Sequence, residues 1–117
     1  MEPIYDRQGN VIAWQNKSNI YHLNGAHAAV INGENVYGQN GNHLGVFKGG
    51  LFRDHQGGVV AFQSGAKGGP ILPITSIPPI PPIPSIPPIP AIPSIPPIPA
   101  IPSLGWSAGD WQRFIRG

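Results

Sequence analysis

Glycine recurs at positions 9, 25, 41 and 57, each time sixteen residues after the last. Aligned on these glycines without gaps, the first half of the chain reads "PIYDRQGNVIAWQNKS", "NIYHLNGAHAAVINGE", "NVYGQNGNHLGVFKGG" and "LFRDHQGGVVAFQSGA". One slot holds Tyr5, Tyr21, Tyr37 and then Arg53, and the slot before it holds Ile4, Ile20, Val36 and Phe52. A later slot is small throughout, with Ala13, Ala29, Gly45 and Ala61. Each unit carries two short β-rich runs about a Gln-Gly or Asn-Gly step, the dipeptides that supply positive φ in tight hairpins. A second turn follows at "NKSN", "NGEN" and "FKGG". The repeat therefore predicts four hairpins.

A lone hairpin buries too little to be stable. Four equivalent ones around a pseudo-fourfold axis bury a common core and leave no exposed sheet edge. The expectation is an all-β head of eight short strands with the small slot near the axis. Ile12, Ala28, Leu44 and Val60, together with Trp14, Val30, Val46 and Phe62, are expected to share the core face.

Composition changes sharply after the repeats. Thirteen of the 16 glycines lie in residues 1–69 and 15 of the 16 prolines in 70–102. From residue 71 to residue 101, isoleucine occupies every third position, eleven times, with a nine-residue unit superimposed: "IPPIPPIPS", "IPPIPAIPS", "IPPIPAIPS". Proline excludes α-helix and interior strand and biases its neighbours toward polyproline II. That helix has three residues per turn, so every isoleucine falls on one edge. Burying an isoleucine is worth roughly 1.5–3 kcal/mol, so such a stripe demands a cover. A head of this size is ~28 Å across. A straight rod over residues 71–103 would run to ~100 Å, which favours a cover from another molecule over folding back. The organisation read from sequence is a head over 1–66, a linker over 67–76, the repeat tail over 77–103 and an aromatic segment over 104–117.

In that last segment, "SLGWSAGDWQRFIRG", Ser107 and Asp110 have capping-box spacing. Trp111, Phe114 and Ile115 share one face of a short helix or turn. Trp106 and this face are expected to dock on a head or a neighbouring tail, or to lie in a membrane interface beside the arginines.

The head resembles the four-fold β-flower proteins, a bacterial family of shallow closed sheets. The residues that carry the resemblance are the four glycine-centred hairpins, "NGNHLGVF" (40–47), "RDHQGGVVAF" (53–62) and the terminal "SLGWS" (103–107). The family's third hairpin commonly ends in tryptophan where this chain has Val46. The resemblance implies a flower-like closed sheet and no established activity. The cup has been likened to the Tubby C-terminal domain, a phosphoinositide binder, which is an analogy of shape.

Net charge is +2, too little for a nucleic-acid-binding face, and no charged residue lies between Lys67 and Asp110. The chain has no cysteine. "MEPIYDRQGN" lacks the basic and apolar regions of a secretory signal, so a cytoplasmic protein, at most peripherally attached to membrane, is expected. His27 and His43 share a slot in adjacent repeats and are the candidate pocket, should they approach each other. Their spacing matches no zinc motif. Asp6 and Asp54 sit where aspartate caps turn amides. No enzyme, cofactor or metal is expected.

The expected role is a scaffold or interaction module. Its candidate contact residues are Ile77, Ile80, Ile83, Ile86, Ile89, Ile92, Ile95, Ile98 and Ile101, with Trp106, Trp111 and Phe114, through which the chain associates with itself or an unknown protein. The alternative is a membrane-surface or lipid-binding module. PxxP spacings also suit polyproline-reading domains, whose grooves usually read charged flanks that the tail itself lacks.

Overall fold

The computed structural model describes residues 1–117. Eight antiparallel strands follow one another round a closed barrel: β1 (Glu2–Tyr5), β2 (Val11–Asn16), β3 (Asn19–His22), β4 (His27–Asn32), β5 (Asn35–Gly38), β6 (His43–Lys48), β7 (Leu51–Arg53) and β8 (Val59–Phe62). Tyr5 opposite Phe62 closes the ring. The four repeat glycines all take positive φ, between +83° and +93°, as the hairpin turns require.

Every hairpin carries the same bulge. Ile4 faces Ala13 but Tyr5 faces Val11, so Ile12 is extra, and Ala28, Leu44 and Val60 are extra in the next three units. A bulge breaks the strict alternation of faces. The expectation that the Ile12 and Trp14 slots share a face is therefore corrected. Ala28, Leu44 and Val60, with Ile12 at the margin, join the central core of Ile4, Ile20, Val36 and Phe52 and the small slot. Phe62 belongs to a second cluster with Tyr5, Leu51 and Val59, flanked by Leu72 and Trp106.

A short helix, α1 (Trp111–Arg116), completes the central core. Trp111 and Phe114 are buried there, with Phe52 edge-on to Trp111 at 5.4 Å. Asp110 alone caps the helix, accepting from the Arg113 N–H at 2.9 Å. Ser107 is no part of a capping box. Its hydroxyl donates to the Asp54 carboxylate and accepts from the Gly109 N–H.

The tail is not a straight rod. It runs round the outside of the head and touches one hairpin after another. The backbone N–H groups of Ser76, Ser85, Ser94 and Ser103 donate to the carbonyls of Gly9, Gly25, Gly41 and Gly57 at 2.9–3.0 Å. A nine-residue step in the tail thus matches a sixteen-residue step in the head. The molecule is 37 × 36 × 21 Å, a flat disc. A circle of that width has a quarter-turn of ~29 Å, and nine residues at the polyproline II rise of ~3.1 Å cover ~28 Å. The nine-residue unit is three turns of that helix and one quarter of the rim. The first anchor, Ser76, falls within the stretch read from sequence as linker.

Candidate functional site

Two features stand apart from the core: the outer edge of the belt, and a set of histidines beneath it. Serine holds the belt because proline has no N–H to give. The Ser85 and Ser94 hydroxyls also accept from the His27 and His43 backbone N–H groups at 2.9 and 3.1 Å. At these anchors the backbones come so close that a Cβ on the repeat glycine would collide with the carbonyl oxygen of Ile74, Ile83, Ile92 or Ile101. With one edge turned to the head, isoleucine is left on another. All eleven isoleucines from Ile71 to Ile101 are 90–96 % exposed. The belt curves back on the head, as one alternative had it, yet the stripe stays uncovered.

The aromatic members of the expected contact set are placed differently. Trp111 and Phe114 lie in the core. Trp106 is half-buried, 6.1 Å from Phe62, with the Arg7 guanidinium 5.7 Å over its ring. The two core rings are spent on folding and present nothing to a membrane.

His27 and His43 make no bond to each other. Each takes partners from its own strand pair and from the next hairpin's turn. His27 Nε2–H donates to Asn19 Oδ1 at 2.9 Å, and its Nδ1 accepts from the Gln39 amide at 2.9 Å. His43 Nε2–H donates to Asn35 Oδ1 at 2.9 Å, and its Nδ1 accepts from His55 Nε2–H at 3.0 Å. The two imidazoles of the latter pair stack at 5.2 Å. Burial depresses the pKa of both His27 and His43. His22 adds to the effect on His27, and His55 adds to that on His43.

Sequence reasoning overlooked these partners, although the aligned repeats carry the signal. Asn19 and Asn35 share a slot, and asparagine stands there only in the two units that have histidine. Gln39 and His55 share another slot. The break in the tyrosine slot is equally informative. Buried Arg53 donates to the carbonyls of Gly57, Gly68 and Ser103, tying the last hairpin to the start of the linker and the end of the belt.

Asp6 and Asp54 serve their turns, each accepting from two backbone amides at 3.0–3.1 Å. No three His, Asp or Glu side chains gather to hold a metal. No helix is long and apolar enough to cross a membrane. A cavity of about 810 Å³ opens between the belt arc 97–102 and the third and fourth hairpins, bordered by His43, His55, Glu34 and Lys48. The arc therefore stands off the head between its anchors.

The sequence model of a family described as 4-fold beta flower protein matches residues 2–115. Neither a curated protein nor a solved structure matches the chain.

Proposed function

This chain belongs to the 4-fold beta flower family, and from that premise we propose that it is a non-enzymatic interaction module whose contact surface is the isoleucine edge of the belt. The observation that carries the reading is the exposure of all eleven isoleucines on an uncharged rim. At ~25 cal/mol per Å², an isoleucine worth 1.5–3 kcal/mol offers about 60–120 Å² of apolar surface. Eleven offer about 700–1,300 Å², more than the ~300–600 Å² of the largest patch on a typical monomer. A surface of that extent calls for an occupant, either further copies of the chain or another protein.

The chemistry beneath the belt supports the non-enzymatic part. The aspartates hold turns, and both ring nitrogens of His27 and of His43 are engaged by neighbours. With Trp111 and Phe114 in the core, half-buried Trp106 is the one member of the aromatic set left to the membrane-surface alternative.

Replacing Ile80, Ile89 and Ile98 together with serine tests the reading. These positions are 93–96 % exposed, so the fold should survive. The full chain is expected to form complexes, with itself or with a partner, that light scattering detects and the triple variant loses. Identical behaviour of the two proteins across concentration and partner would overturn it.

A further inference from the structure

The belt has a second property besides its isoleucines. Thirteen of residues 77–103 are proline, leaving 27 backbone carbonyls against 14 N–H groups. Three of those N–H groups are committed to the anchors at Gly25, Gly41 and Gly57. The rim is thus apolar and rich in unpaired acceptors. Lipid hydrocarbon brings no donors to such a backbone. A second belt brings the same acceptor excess. Edge-to-edge pairing of two discs also engages few residues. Isoleucines are ~9 Å apart along the belt, and two convex rims of this curvature diverge within one such spacing of their contact. Three isoleucines per copy, about 200–350 Å², fall well short of the ~800 Å² per partner of a standard interface.

Between anchors the belt forms three arcs, and each begins with the same pentapeptide. Ile-Pro-Pro-Ile-Pro occupies 77–81, 86–90 and 95–99, and all fifteen residues are exposed. Each arc is already extended and tethered at both ends, so the ordering cost of binding is reduced in advance. The occupant that suits it has flat aromatic rings to receive proline and isoleucine, and side-chain N–H and O–H donors for the carbonyls. That is the chemistry of a polyproline-reading groove.

Such grooves also read charge beside the proline helix, and the tail has none in its own sequence. The fold brings one acidic and one basic side chain of the head to the third arc. The exposed Glu34–Lys48 ion pair, with its atoms 3.7 Å apart, borders the open space behind residues 97–102 together with His43 and His55.

We propose that the Ile-Pro-Pro-Ile-Pro arcs are docking sites for a domain with an aromatic, donor-bearing polyproline groove, and that the arc at 95–99, whose residues 97–99 border the same open space as Glu34 and Lys48, is the strongest of the three. The proposal rests on the belt being the contact surface and adds the kind of partner it takes. Three equivalent arcs on one rigid rim also allow multivalent capture.

The experiment titrates the full chain with purified SH3, WW and EVH1 domains and reads heat and stoichiometry by calorimetry. Binding of up to three domains per chain is expected. P97A should weaken the tightest site at least tenfold, and P79A or P88A should cost less. Amide exchange at Ser94 and Ser103 verifies that the belt stays anchored in each variant. No binding by any of the three domain classes would overturn the proposal, as would binding indifferent to the proline substitutions. Self-association, or flotation with phosphatidylcholine or phosphatidylserine vesicles, that is lost in the Ile80, Ile89 and Ile98 to serine variant but kept in the proline variants would leave the contact surface standing and reject the groove. If neither set of substitutions changes any of these readouts, both readings fall.

Discussion

Ser94 donates its backbone N–H to the Gly41 carbonyl at 2.9 Å, across a separation of 53 residues in the chain. The same bond joins Ser85 to Gly25, nine residues earlier in the belt and sixteen earlier in the head. Two unrelated sequence periods are thereby locked to one rotation of a quarter-turn.

Gly41→Ala tests the closeness of that contact. The residue sits at φ +86°, and its new Cβ would strike the Ile92 carbonyl oxygen. A non-glycine residue in the left-handed region costs roughly 1–2 kcal/mol by itself. Gly33→Ala is the control, at φ +63° with open space around it. Chemical denaturation should show a larger loss for Gly41→Ala, and amide exchange at Ser94 should accelerate only in that variant.

Deleting residues 86–94 removes one nine-residue unit and keeps every remaining isoleucine in register. The belt becomes ~28 Å shorter and spans three hairpins instead of four. Trp106 and α1 can then no longer reach their sites if the first two anchors hold. The expected outcome is a red-shifted tryptophan emission and a loss of about 3–5 kcal/mol, the usual cost of emptying large aromatic sites. Unchanged emission would show that the nine-residue match is dispensable.

Phe114→Ala should cost about 3–5 kcal/mol in denaturation, since its ring closes the central core beside Gly45. Gly45→Ala should also destabilise, because the added methyl meets that ring and the Arg53 carbonyl. Exposed Arg116→Ala, on the same helix, should stay within about 0.5 kcal/mol.

Acid should weaken the fold through its histidines. His27 and His43 have folded pKa values below the ordinary 6.5, chiefly from burial. The unfolded chain therefore takes up more protons as pH falls, and stability drops from about pH 6.5 downward until the folded histidines also protonate. The stabilising contribution is complete above that window. Denaturation at pH 7.5 and 5.5 should show the difference, and H27Q together with H43Q should flatten it. A stability rising toward pH 5.5 would contradict the assignment.

Much of the architecture is legible in the residues themselves. Turn chemistry acts within a few residues, so glycine at 9, 25, 41 and 57 marks four hairpins without any tertiary knowledge. The three-residue period of isoleucine likewise sets one edge of a proline helix, because proline allows little else. The bulge was not legible: Ile12 and Trp14 differ by two, and only cross-strand pairing reveals that Ile12 is the extra residue opposite the Ile4–Tyr5 step. Nor was the partner of each histidine, since Gln39 and His55 reach it across hairpins.

The chain's own sequence thus determined the number of hairpins, the extended tail and the alignment of its isoleucines, all consequences of short-range backbone preference. The tertiary structure alone decided that the tail encircles the head, that serine is its point of attachment, and that the isoleucines face outward. Those outcomes depend on matching the tail's length per nine residues to the width of the closed sheet, a distance that exists only after the sheet has closed.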